Sequence, residues 1–153
     1  RNCKALRVQE MKTNILSAAL ALFLITSSSS AQEIDENTRV AIADFVFETI
    51  ECVSFYSVIS NMESNSPEWG EISENYEGLM EEMFMAALDT AHKIQLNPDV
   101  LMLKAQQYTS EMGELIGYDA VNISLLLEKY GDSCKNLAED PVSRLQYWMD
   151  KEN

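Results

Sequence analysis

The sequence predicts an all-α fold: a four-helix-bundle-like domain with a short C-terminal helix and one disulfide. Three observations lead there. Thr38–Met62 (TRVAIADFVFETIECVSFYSVISNM) is a long apolar stretch whose polar residues recur at helical spacing. Ser66-Pro67, Asn97-Pro98 and Asp140-Pro141 each set a good N-cap residue before a proline at the first helical position, where the missing N–H is not needed and φ is already helical. No alternating strand pattern or hairpin dipeptide follows residue 31. Patterning and capping signals agree on helix.

The first 31 residues read as processing signals. Met11 opens a secretory signal: Lys12 supplies the positive charge, Ile15–Thr26 the apolar run, and Ser29 and Ala31 the small residues at the −3 and −1 positions. Residues 1–10 then form an upstream extension outside the product. An apolar run of about 12 residues falls short of the roughly 20 that span a bilayer, so cleavage after Ala31 leaves no stable membrane anchor. What remains, residues 32–153, is one helical domain with length enough for a core. Its expected location is periplasmic or secreted.

The first helix of that domain begins near Asp35 or Asn37 and ends before Glu63-Ser64-Asn65-Ser66. Asp44, Glu48, Glu51, Ser54 or Ser57, and Asn61 draw one narrow polar stripe along it, and nearly every other position is apolar. A helix at the edge of a domain needs only about 100° of apolar face. One apolar over most of its circumference must be packed on several sides, which makes this the core helix.

The second helix runs from Pro67 towards Gln95. Trp69, Ile72, Tyr76, Leu79, Met80, Met83, Phe84, Ala87, Leu88, Ala91 and Ile94 recur there every three or four positions. Gly70 and Gly78 weaken its first half, and Glu71, Glu74, Glu77, Glu81 and Glu82 line its outer face. The third helix, Pro98 to about Ile116, turns Leu101, Ala105, Tyr108, Met112 and Leu115 inward, with Gly117 as its C-terminal cap. The fourth, starting at Asp119–Asn122, puts Ile123, Leu126, Leu127, Tyr130, Cys134 and Leu137 on one face. The apolar phase barely slips at Gly117, so one kinked helix is the alternative to two. A last short helix, Pro141 to about Asp150, offers Leu145, Trp148 and Met149 on one side and Tyr147 on another.

Charge narrows the function classes. The chain carries a net charge of −14, and loss of residues 1–31 takes the mature part to −17. A domain so acidic is repelled by nucleic acid and anionic lipid; it suits a soluble protein, a basic partner or loose cation binding. Cys3 lies in the discarded segment, leaving Cys52 and Cys134, which in an oxidising compartment most simply form one disulfide; two buried free thiols are the alternative. That bridge strains a regular bundle. Cys52 lies past the middle of the first helix and Cys134 near the end of the fourth, about 15 Å apart in height if the helices are aligned. A disulfide spans Cα atoms no more than about 7 Å apart, so the helices must be staggered or crossed.

Candidate chemistry is sparse. Asp89 and His92 share a helix face with the i, i+3 spacing of the Glu-x-x-His element in di-iron bundles, but His92 is the chain's single histidine. A surface histidine near a helix C-terminus accounts for it. Haem would need Cys-x-x-Cys-His, which is absent, or His92 with a methionine such as Met62, Met80, Met83 or Met112, and those methionines sit at core spacing. No Gly-x-Ser-x-Gly element or phosphate-cradling glycine loop occurs, and neither a cofactor nor an enzymatic reaction is expected. Tyrosines near both cysteines suggest an aromatic cluster around the disulfide, with Arg144 bridging to a carboxylate there. The expected function is a non-catalytic binding or accessory module using Arg144, Tyr147 and Trp148. The alternative is a carrier of an apolar ligand, metal or haem between the helices.

Overall fold

The computed structural model describes residues 34–63 and 70–152, with side chains between 62 and 75 outside the description. The signal segment, the Ser66-Pro67 start and Trp69 therefore lie outside the described residues. Five α-helices are described: α1 Glu36–Glu63, α2 Gly70–Lys93, α3 Pro98–Leu115, α4 Ser124–Glu139 and α5 Pro141–Lys151, with a 3₁₀ turn at Ala120–Asn122. None of the described helices is long and apolar enough to cross a membrane.

Helix α1 is the axis, and each of the other four packs against it. Ala41, Val46, Ile50, Cys52, Phe55, Tyr56, Val58 and Ile59 are all buried along it. Its polar stripe is partly covered as well, up to the exposed Asn61. Asp44, Glu48 and Glu51 are half-buried and Ser54 is 2 % exposed. The Ser54 hydroxyl lies 2.9 Å from the Ile50 carbonyl and 3.3 Å from that of Ala105 on α3, so one proton serves both. A hydroxyl satisfied within its own helix can be buried without an orphaned donor.

Two clusters of side chains give the helix directions. Val46, Ile50, Ala87, Ala91 and Leu101 form one, at the start of α1, the end of α2 and the start of α3. The other gathers Phe55, Ile59, Met83, Met112, Ile116, Leu126 and Tyr130 at the opposite end. So α2 is antiparallel to α1 and α3 parallel to it. Phe55 meets Tyr130 on α4 with ring centroids 6.0 Å apart, while Cys52 meets Cys134, which makes α4 antiparallel. The arrangement is up-down-up-down.

The height difficulty disappears because α4 is only 16 residues long against 28 for α1. It begins level with the end of α1 and stops partway down. Cys52 and Cys134 each lie about 15 Å from those adjoining helix ends at 1.5 Å per residue. They meet with a Cα separation of 5.2 Å. Helix α5 then packs on α1 as well, with Arg144 and Trp148 both reaching Glu48.

The helix ends follow the capping chemistry. Asn97 accepts from the Asp99 N–H at 2.9 Å ahead of Pro98. Asp140 accepts from the Ser143 N–H at 3.0 Å and its hydroxyl at 2.6 Å ahead of Pro141. Asp35 treats Thr38 in the same way at 2.9 and 2.6 Å. Helices α3 and α4 are separate: Gly117 and Tyr118 are both left-handed, with φ of 63° and 56°. The Tyr118 N–H reaches the Gly113 carbonyl at 2.8 Å, and that of Gly117 reaches Glu114 at 3.0 Å, a Schellman closure. Its tyrosine ring lies where a Cβ on Gly113 would be. Helix α2 closes the same way with a non-glycine, Gln95, at φ 58°.

Two inward assignments are corrected. Leu115 is 39 % exposed and Ile116, fully buried, takes its place, because the closing turn of α3 brings the residue four after Met112 onto the core. Leu127 is 50 % exposed. Helix α4 presents Leu126, Tyr130, Cys134 and Leu137 to the core, and the next position after Leu126 points about 100° away.

Candidate interaction site

Helix α5 has 11 residues and none fully buried; a helix of that length is marginal alone in water. It is held by a carboxylate on α1. Arg144 Nε donates to Glu48 Oε1 and Oε2 at 2.9 and 2.8 Å, and Arg144 Nη2 lies 2.7 Å from Oε1. From the next turn of the same face, Trp148 Nε1 donates to Oε2 at 2.6 Å. Glu48 is left 10 % side-chain exposure and Arg144 32 %. Hydrogen bonding to Glu48 raises the Arg144 pKa above its ordinary value, with burial acting in the opposite sense.

Arg144 thus has its carboxylate, but the partner is Glu48, four residues before Cys52. In the sequence Glu48 is one member of a polar stripe. The signal that marks it is physical: a carboxylate on a helix packed on every side must be paired or hydrogen-bonded, and Arg144 is one of few cations available.

The same guanidinium stacks outward. Its centre lies 4.2 Å from the Tyr147 ring centroid and 5.8 Å from that of Trp148. Lys151 sits 4.1 Å over the Trp148 ring, and the Tyr147 and Trp148 rings meet edge to face at 5.4 Å. Tyr147 nonetheless remains 47 % exposed. It borders a shallow cleft of about 370 Å³ at the α4–α5 joint, where Asn136, Glu139, Asp140 and Ser143 also lie. The three candidate residues are therefore together: Arg144 and Trp148 face inward on Glu48, and Tyr147 faces out.

The disulfide stands apart from this face. Cys52 and Cys134 are each 1 % exposed, beside Phe55, whose ring is 5.1 Å from that of Tyr56. Tyr56 stacks on Tyr76 at 5.3 Å. Burial, then the neighbouring Tyr76, pushes the Tyr56 hydroxyl up to about 12. Half-buried Glu51 is also raised, first by burial and then by the charge of Glu48.

Asp89 and His92 do not form a pair in the contacts described. Asp89 accepts from Lys93 at 2.6 Å, and His92 is exposed in the last turn of α2. Among the described residues no three His, Cys, Asp or Glu side chains gather as a metal site. A second, mainly apolar cleft of about 300 Å³ lies between α1, α2 and α5. The chain matches no protein-family model, and no curated protein or solved structure is significantly similar to it.

Proposed function

We propose that this is an exported, non-catalytic binding module that engages a protein partner through the outer face of α5. The observation that carries the reading is the state of Tyr147: half exposed, yet fixed between the Arg144 guanidinium and the edge of Trp148. An aromatic ring immobilised before binding loses little entropy on association, and tyrosine and arginine are prominent among interface hot spots. The cleft beside it gives a partner side chain somewhere to enter. Export rests on the Met11–Ala31 pattern and is supported by a disulfide within bonding distance.

Tyr147→Ala tests the reading. An exposed ring contributes little to the fold, so the melting midpoint should move by no more than about 3 °C. Native mass spectrometry of the protein isolated from its own export compartment should show a complex for the parent chain and none for the variant. A complex that survives Tyr147→Ala rejects this face. A carrier of an apolar molecule is the second reading, favoured by the cleft between α1, α2 and α5.

A further inference from the structure

The cleft between α1, α2 and α5 has a built character that the outer face of α5 lacks. Ile42 and Phe45 from α1, Ile94 from α2 and Leu145 from α5 line it. Ile34 and Val142, 39 % and 36 % exposed, flank it. Three helices wall it, and its volume is about 300 Å³, at the small end for ligand pockets. At roughly 30 Å³ per heavy atom, the share of one water in the liquid, it has room for about ten heavy atoms. A partner helix, about 10 Å across with its side chains, is too thick to enter.

Its polar groups set the ligand's charge. Asp89 and Lys93 line the cleft as an exposed i, i+4 pair 2.6 Å apart, so their charges cancel locally. Thr38 gives its hydroxyl proton to Asp35 at 2.6 Å, leaving its oxygen to accept, and the half-buried Thr90 adds a second hydroxyl to the wall. With a net charge of −14 on the whole chain, an anionic ligand is disfavoured at long range as well. We infer that this cleft binds a neutral, medium-chain aliphatic molecule of about ten heavy atoms, its chain against Ile42, Phe45 and Leu145 and one hydroxyl-type head at Thr38 and Thr90. The inference deepens the carrier reading and is independent of the Tyr147 face.

Calorimetric titration of the full chain with straight-chain alcohols from hexanol to undecanol tests it. Affinity should tighten about fourfold for each added methylene and level off at nonanol, whose ten heavy atoms fill the volume. Decanoate should bind at least tenfold more weakly than decanol. Ala86→Trp, a replacement on the exposed wall of the cleft, should abolish binding with the helical spectrum intact, and Val142→Trp does the same from α5 if the first variant fails to fold. Tyr147→Ala should leave the titration unchanged, so failure here and failure of the α5 interface are distinguishable. Absence of saturable binding, continued tightening through undecanol, equal affinity for decanoate, or binding that survives a cleft-filling variant each overturns the inference.

Discussion

Replacing Glu48 with glutamine should unseat α5 while keeping the size of the side chain. In the parent, one carboxylate takes contacts at 2.6–2.9 Å from Arg144 Nε, Arg144 Nη2 and Trp148 Nε1. A hydrogen bond to a charged group contributes about 1.5–3 kcal/mol, and these contacts act as a unit, so their values do not add. Arg144 keeps 32 % exposure and recovers some hydration, which places the loss below the roughly 3–5 kcal/mol of a fully buried pair broken on one side. The expected loss is about 2–3 kcal/mol. At about 4 °C per kcal/mol for a domain of this size, the midpoint falls by about 8–12 °C. Thermal unfolding by far-ultraviolet circular dichroism measures it. In a Trp69→Phe background, Trp148 is the chain's only tryptophan, and its emission should shift to the red as its N–H loses the carboxylate. The double variant Glu48→Gln/Arg144→Met should be less damaged than the sum of the single changes by about 1 kcal/mol or more. A midpoint shift under about 2 °C, or additive single effects, refutes the clamp.

Other expectations test separate parts of the fold. Glu51 has its folded-state pKa raised above the ordinary 4.5, chiefly by burial, so its ionisation opposes folding, and that cost grows as pH rises from the unfolded value through the folded one. Glu51→Gln should therefore raise the midpoint at pH 7, with the gain vanishing below about pH 4; a gain of equal size at both pH values contradicts the assignment. Gln95, at φ 58°, should be better served by glycine: Gln95→Gly is expected to stabilise by about 0.5–1 kcal/mol in chemical denaturation, and a loss would refute the left-handed turn. Removing the Cys52–Cys134 bridge, which closes 82 positions of chain, should lower stability by about 4 kcal/mol in the loop-entropy picture. Because both sulfurs are buried, alkylation under reducing conditions should be detected by mass only near the unfolding midpoint, and rapid labelling in the native state would argue against the core position of the bridge.

What the sequence reveals and conceals divides along local and distant physics. Asn97-Pro98 and Asp140-Pro141 are read correctly because a cap is an interaction between residues two or three apart. The burial of most of the circumference of α1 is legible from its composition alone. The pairing of Glu48 with Arg144, 96 positions away, is not, because nothing local tells one carboxylate of a stripe from another. Gln95 hides a helix closure usually marked by glycine. Ile116 replaces Leu115 in the core because the register of a last turn depends on how the helix is closed. The common height of Cys52 and Cys134 depends on α4 being short, a property of assembled helices that no single helix displays.

Site-specific photo-crosslinking tests the central claim, that the outer face of α5 meets a protein partner, most directly. Benzoyl-phenylalanine would replace Tyr147 in the full chain, and separately Met85 on α2 and Leu103 on α3, which are 59 % and 64 % exposed. One adduct of defined mass is expected from position 147 on irradiation in the native compartment, and none of that mass from the other two. Equal adducts from all three positions, or none from 147 with the fold intact, would contradict it.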